Sequence, residues 1–541
     1  MNPVVLIVLD GFGIAPPGPG NAIYLANPHH IHSLLCSYPY TYLKASGMSV
    51  GLPQGEVGNT EVGHLNLGAG RVIYQSLLRI NMAIADGTFY ENVAFLEALI
   101  HLSKTGGKLH LIGLVGEGSV HASVDHLSAL LHFCKRNNFR HVFVHAITDG
   151  RDSPPKMAAS YIDGLEKKLD QLELGEIATV MGRYYAMDRD KRWDRTEKAY
   201  ICLTKGAEKK AQSWRDVFDS SYKRGITDEF IEPINITKNG EPIALIQEGD
   251  AVIFFNFRID RPRQLTKAFV LDNFEANANK TFYDPYATEY YKKHEVEEKI
   301  LAPPFKRGEK IKNLYFITMT EYEKDLPAII AFPSRMVHMP LGRVLSDNSL
   351  YQLRLTESEK ERFVTYYFNG GREVQFPYEE RLIVPSPKVP TYDLKPEMSA
   401  YEITDILIKK MSLMKYKFIL VNFPNADMVG HTGDLKASIK AVKVIDEVVG
   451  RIVNASLGLD YQLLITADHG NIEEKINTKT GEMMTEHTAN LVPFIAVSNK
   501  LQGKPKKLHI GILADVVPTI LNLMGLPKPT EMMGRDLLEE V

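Results

Sequence analysis

Short apolar runs rich in β-branched residues recur along the chain and break off at polar or Gly-rich segments: 4–9, 108–114, 141–146, 251–255, 314–318, 417–421 and 462–466. Each is apolar on both faces, which predicts a strand buried between two helix layers rather than a half-exposed one. Between the runs, apolar positions recur near the helical period over 91–104, 124–137, 156–172, 437–454 and 511–523, which predicts helices. Strands alternating with helices predict an α/β fold built on parallel sheets. Ligands in such sheets bind beyond the carboxyl ends of the strands, so the residues just after each run are the candidates for chemistry.

The stretch 272–312 breaks the rhythm. It is rich in Lys, Glu, Asn and Tyr, contains Pro303-Pro304 and alternates poorly, so it reads as a surface excursion near a hinge between domains. At ~150 residues per domain, 541 residues predict two to four domains. Hydrophobic content of 44% with 24% charged residues excludes disorder over most of the length. With 63 Lys+Arg against 66 Asp+Glu, the net charge of −3 supplies no positive field for nucleic acid or an anionic membrane. No run of about 18 apolar residues predicts a membrane span. Cys36, Cys134 and Cys202 are far apart and form no C-x-x-C pair, so neither a disulfide framework nor a zinc ribbon is expected. Residues 1–10 lack the flanks of a signal peptide. A cytoplasmic monomer acting on a small molecule is the expectation.

The strand ends carry carboxylates and imidazoles. Run 4–9 leads to Asp10-Gly11. Run 417–421 leads to N-F-P-N-A-D-M-V-G-H, with Asp427 and His431, and run 462–466 to A-D-H-G-N, with Asp468 and His469. His487 stands in E-H-T-A-N before the apolar 491–497. Singly, an Asp after a strand is a cap or turn residue, and a His before Gly a loop residue. Together, mixed carboxylates and imidazoles suit Mn²⁺ or Zn²⁺ better than an all-oxygen Ca²⁺ site. Two ions about 3.5 to 4 Å apart would serve both oxygens of a phosphoryl displacement. Thr60, in G-N-T-E-V-G-H at 58–64, is a candidate nucleophile, although on its own a Thr between Asn and Glu reads far more often as a helix cap.

G-N-T-E-V-G-H followed by L-N-L-G-A-G-R resembles the nucleophile segment of the cofactor-independent phosphoglycerate mutases, of the alkaline phosphatase superfamily. The resemblance extends through V-L-D-G-F-G at 8–13, T-D-G-R-D at 148–152, F-N-F-R-I-D-R at 255–261, E-S-E-K at 357–360, F-N-G-G-R-E at 368–373 and P-S-P-K-V-P-T-Y-D at 385–393. It implies a discontinuous phosphatase-like domain of residues 1–74 and 331–541, with a substrate domain, 75–330, inserted in it. It also implies one Mn²⁺ on Asp427, His431 and His487 and another on Asp10, Asp468, His469 and Thr60. Phosphoglycerate would meet His121, Arg151, Asp152, Arg183, Arg189, Arg258 and Arg261, with Lys360 beside the phosphoryl group. Independently of the family, a ligand with a carboxylate and a phosphate calls for several guanidinium forks.

The implied reaction is ping-pong. Thr60 takes the phosphoryl group of 3-phosphoglycerate, and the 2-hydroxyl, deprotonated by Asp152, takes it back. A metal-dependent phosphatase or phosphodiesterase shares the ligands but has no use for the Arg151-Asp152 pair. A binding-only or low-activity homologue is the other alternative. The family nucleophile is Ser where this chain has Thr60, although related phosphodiesterases use Thr. Tyr351 stands where the family has Lys, Glu361-Arg362-Phe363 replaces Y-A-H, and 272–312 is longer than usual.

Overall fold

Val4–Leu9 is buried at every position and lies parallel to Phe418–Phe423 on one side and Gln462–Thr466 on the other, Val8 facing Asn422 and Thr466. The computed structural model describes residues 2–280, 302–334, 336–477, 480–539 and 541. The chain divides into two compact units, Met1–Leu78 with Arg335–Val541, and Arg79–Ser334.

In the first unit an eight-stranded sheet among the described residues has the order Glu379–Val384, Gln352–Glu357, Phe418–Phe423, Val4–Leu9, Gln462–Thr466, Val492–Val497, Tyr40–Lys44, Gly511–Ile512. Val492–Val497 runs against both neighbours and the other pairs are parallel. Helix Leu435–Gly458, capped by the Asp434 carboxylate on Ala437 N, turns Ala441, Ile445, Val448 and Ile452 inward at three- to four-residue spacing. Ile445, Val448 and Ile452 contribute roughly 1.5–3 kcal/mol each.

The second unit has its own nine-stranded sheet among the described residues. Its main path is Ile329–Phe332, Tyr315–Thr320, Ala251–Phe254, Leu109–Leu114, Val142–Thr148, Glu176–Gly182, Ile234–Lys238, Lys210–Ala211, and Glu241–Pro242 pairs with Ile234–Lys238. The six strands from Ile329–Phe332 to Glu176–Gly182 are mutually parallel. The α/β class expected from the alternation is the class observed.

Two expectations need correction, and a buried strand lies where none was expected. Residues 511–523 are not one helix: Gly511–Ile512 pairs with Tyr40–Lys44, and the helix is Val516–Met524. Gln352–Glu357, which has no purely apolar run, is a strand buried at all six positions. The flanks of 272–312 are not a surface excursion. Phe274 and Phe305 are buried with ring centroids 4.9 Å apart, and Arg307 donates to the carbonyls of Ala268, Leu271 and Asp272. The middle of that stretch, 281–301, lies outside the described residues. No helix among the described residues is long and apolar enough to cross a membrane.

Candidate metal centre and arginine cluster

Because Phe418–Phe423, Val4–Leu9 and Gln462–Thr466 are adjacent and parallel, their carboxyl ends deliver Asp427, Asp10 and Asp468-His469 side by side. Gln352–Glu357, next in the sheet, delivers Lys360 to the same edge. Asn59, not Thr60, caps helix Thr60–Ala69, its Oδ1 accepting from Val62 N at 3.0 Å. The Thr60 hydroxyl is thus free for other partners: Lys360 Nζ donates to it at 2.9 Å, His469 Nε2 lies 3.0 Å away, and it donates to Asp10 Oδ1 at 3.4 Å. Nor does Asp10 cap anything. Its carboxylate takes hydrogen bonds from Lys360 and Asn422. The positive end of the helix at Thr60 favours an anion. A Cβ on Gly63 would lie 2.6 Å from Asp468 Cβ, so only glycine lets this helix approach so closely.

The imidazoles share one arrangement. Nδ1 of His431, His469 and His487 faces the carbonyl of Thr485, Gly470 and Gly58 at 2.7, 3.2 and 2.9 Å. A carbonyl only accepts, so each Nδ1 carries a proton, and deprotonation of the ring would expose the Nε2 lone pair. Those Nε2 atoms converge: His431 and His487 are 3.0 Å from each other and 3.1 and 3.2 Å from Asp427 Oδ1, while His469 is 3.3 Å from Asp10 Oδ1. Ligand-type atoms of Asp427, His469 and His487, and likewise of Asp10, His64 and Asp468, all lie within 4.8 Å of one another. Asp468 is fully buried, yet its Oδ2 has no well-aligned hydrogen-bond donor. An orphaned carboxylate oxygen among imidazole lone pairs fits a divalent cation.

The electrostatics agree. Burial disfavours the Lys360 ammonium, but Asp10, Asp427 and Asp468 outweigh it and raise its pKa. Burial pushes Asp427 and Asp468 upward and is overcome, for Asp427 by Lys360 and the hydrogen-bonded His431 and His487, for Asp468 by His469, His64 and Lys360. Burial likewise opposes the charged form of His469, yet Asp468, Asp10 and Asp427 push it up to about 10. Phe363 lies 5.2 Å from Lys360 Nζ and stacks on Tyr367, so it walls the lysine. Tyr351 packs edge-on to Tyr378 under Lys415.

Sequence reasoning missed His64 and Asn422. His64 Nδ1 lies 3.0 Å from Thr60 O and 3.2 Å from Asp468 Oδ2, and Asn422 Nδ2 donates to Asp10 Oδ2 at 3.0 Å and faces His64 Nε2 at 3.1 Å. The signal for His64 was its place at the end of G-N-T-E-V-G-H.

In the second unit the same logic gathers the basic residues beyond the adjacent strands Ala251–Phe254, Leu109–Leu114, Val142–Thr148 and Glu176–Gly182. Arg183 Nη1 bonds Asp149 and Asp152, both at 2.5 Å. His121 lies 3.6 Å from Asp152 and 3.7 Å from Asp260, and Arg189 and Arg258 bond Asp260 at 2.8 and 3.2 Å. Arg261 donates to Met187 O, and its pKa is lowered by burial and by the charges of Arg183, Arg189 and Arg151. Arg151 is exposed, 3.7 Å from Glu229. His121, Asp152, Arg183, Arg189, Arg258 and Arg261 share one cluster, and Arg151 is tied to it only by the effect of its charge on Arg261. Asp149 and Asp260, inside the T-D-G-R-D and F-N-F-R-I-D-R motifs, were not singled out. Burial raises the Asp152 carboxyl and Arg183 more than offsets it, so its pKa is lowered. Burial and Arg183 bring His121 down to about 4.

The family profile described as "BPG-independent PGAM N-terminus" matches residues 80–324. The 2,3-bisphosphoglycerate-independent phosphoglycerate mutase of Moorella thermoacetica is 48% identical over 537 residues, covering 99% of this chain and 98% of its own. The enzyme of the same name from Clostridium beijerinckii is 46% identical over 538 residues, covering 99% of both. Among solved structures, the Leishmania mexicana phosphoglycerate mutase at low cobalt concentration has a TM-score of 0.60 at 28% identity, covering 99% of this chain and 97% of that one.

Proposed function

The chain belongs to the 2,3-bisphosphoglycerate-independent phosphoglycerate mutase family, and on that premise we propose that it interconverts 3-phosphoglycerate and 2-phosphoglycerate, in glycolysis and gluconeogenesis, through a phosphoenzyme on Thr60. It is an enzyme of the isomerase class. The observation that carries the reading is the convergence of the His431, His469 and His487 lone pairs on Asp427 and Asp10 beside the Thr60 hydroxyl.

Asp427, His431 and His487 would hold one divalent cation, and Asp10, Asp468, His469 and Thr60 the other, with Mn²⁺ suited to mixed oxygen and nitrogen donors. Bound there, such ions supply positive charge to the attacking and leaving oxygens of phosphoryl transfer. The Thr60 oxygen bonds phosphorus as the bond from phosphorus to the substrate's 3-oxygen breaks, and the proton that Thr60 gives up ends on that 3-oxygen, leaving glycerate. Lys360, hydrogen-bonded to Thr60, neutralises charge on the reacting oxygens. Arg151, Arg183, Arg189, Arg258 and Arg261 hold the acid by bidentate pairing, and His121 orients it by hydrogen bonding. The Asp152 carboxylate accepts the proton of the 2-hydroxyl, whose oxygen takes the phosphoryl group from Thr60, and that proton passes on to the Thr60 oxygen. Exclusion of water during this exchange separates a mutase from a phosphatase.

The test is an enolase-coupled assay in metal-free buffer with Mn²⁺ added back, beside a measurement of inorganic phosphate. Isomerisation that needs the cation and releases no phosphate is expected; phosphate release without isomerisation would overturn the reading.

A further inference from the structure

Glu473 and Lys475 are buried opposite charges, 1% and 0% exposed, just beyond Asp468-His469. The Glu473 carboxylate accepts from Gly13 N at 3.0 Å, three residues after Asp10, and from Asn471 N at 2.8 Å, two after His469. It also accepts from Thr488 Oγ1, the residue after His487, and from Asn490 Nδ2 at 3.0 Å. Lys475 Nζ donates to Gly430 O at 3.0 Å, at the end of the helix that carries Asp427 and one residue before His431. It donates also to Asn471 Oδ1, which leaves Asn471 Nδ2 to donate to Asp427 Oδ1 at 3.0 Å.

The backbone makes room for this arrangement. A Cβ on Gly13 would lie 2.3 Å from the Glu473 carboxylate, one on Gly470 2.4 Å from its Oε1, and one on Gly430 2.4 Å from Asn471 Oδ1. Two side chains thereby touch each of the four segments that carry the candidate ligands, without occupying a ligand position. A buried charge is costly unless its hydrogen bonds are made, so these contacts hold each side chain, and the backbone it touches, in one geometry.

We propose that Glu473 and Lys475 are positioning residues, a buried brace that holds the four ligand-bearing segments in register and so sets how tightly the centre binds its cations. This rests on the two-cation reading of the site. The brace acts through backbone groups and Asn471, so its loss should loosen the cations before it loosens substrate.

The test is the Mn²⁺ affinity of the purified full chain by equilibrium dialysis, for wild type, Glu473→Gln and Lys475→Met, with circular dichroism of the metal-free proteins. Folded variants are expected to bind Mn²⁺ about 10- to 100-fold more weakly. Their kcat should fall at limiting Mn²⁺ and recover when Mn²⁺ is raised, with KM for phosphoglycerate unmoved. Unchanged Mn²⁺ affinity in either folded variant overturns the brace. If neither folds, Thr488→Val, which deletes one contact to Glu473, decides the matter: affinity at least about threefold weaker supports the brace and unchanged affinity overturns it. A wild-type chain that takes up no Mn²⁺ overturns the two-cation reading itself and the brace with it, an outcome distinct from the others.

Discussion

Lys360 Nζ bonds Thr60 Oγ1 at 2.9 Å and, in the same position, Asp10 Oδ1 at 3.0 Å and Asp427 Oδ2 at 2.7 Å. One buried ammonium therefore touches the proposed nucleophile and a carboxylate from each ligand set. Replacing it by an uncharged chain of similar length, Lys360→Met, is expected to lower kcat by about 10²–10³, the range for removing one preorganised donor to a reacting oxygen. Steady-state kinetics in the enolase-coupled assay would show this; a kcat within twofold of wild type would rule the role out.

Protons compete with cations for the same Nε2 atoms. The Asp427 hydrogen bond raises the pKa of His431, and the carboxylates, against burial, bring His469 to about 10. A raised pKa means that the proton persists to higher pH, so cation uptake must release protons and apparent Mn²⁺ affinity must rise with pH. Titrations at pH ~6, ~7 and ~8 check this. Affinity independent of pH would contradict the lone-pair arrangement.

His110 and His145 lie fully buried in the second unit, Nδ1 of His110 being 2.8 Å from Nε2 of His145, with Asp250 on the far side of His110 at 3.1 Å and Thr179 on that of His145 at 3.0 Å. Burial lowers both pKa values, that of His145 well below 6.5. The unfolded chain then binds more protons below pH 6.5, so this contribution is complete above that value and is lost as pH falls. Thermal midpoints should decline on acidification, and His145→Asn should flatten the decline; an unaltered slope in the variant would refute the assignment.

Glu357 shows the opposite sign. Its Oε1 accepts from Ser399 N at 2.8 Å, and burial, outweighing the hydrogen bonds from Ser399 and Ser386, lifts the carboxyl from 4.5 to about 7. The folded state binds the extra proton, so this contribution is full below pH 4.5 and is lost as pH rises toward 7. Glu357→Gln keeps the acceptor and removes the charge, and should be more stable at pH ~8 by on the order of 3 kcal/mol. Denaturant titration measures it, and a destabilised variant at that pH would contradict the account.

Strands apolar on both faces were legible, and Val4–Leu9 and Gln462–Thr466 match to the residue. Asp10, Asp427 and Asp468 stand out because each lies within a few residues of such a run. Gln352–Glu357 was not legible, because its polar side chains find partners inside the protein: Arg354 lies 4.9 and 5.5 Å from the rings of Phe368 and Phe418. The His64–Asn422 contact spans 358 positions and the Gly13–Glu473 contact 460, which no local spacing encodes. The Gly511–Ile512 strand defeated the periodic reading because Tyr40–Lys44 offers it an edge.

The most direct measurement is the intact mass of the Mn²⁺-loaded enzyme, acid-quenched during turnover of 3-phosphoglycerate and followed by peptide mapping. The added mass of one phosphoryl group on Thr60, retained in Thr60→Ser and absent from an inactive Thr60→Ala, is the predicted result. Full mutase activity in Thr60→Ala, with no adduct on the wild-type chain, would contradict it.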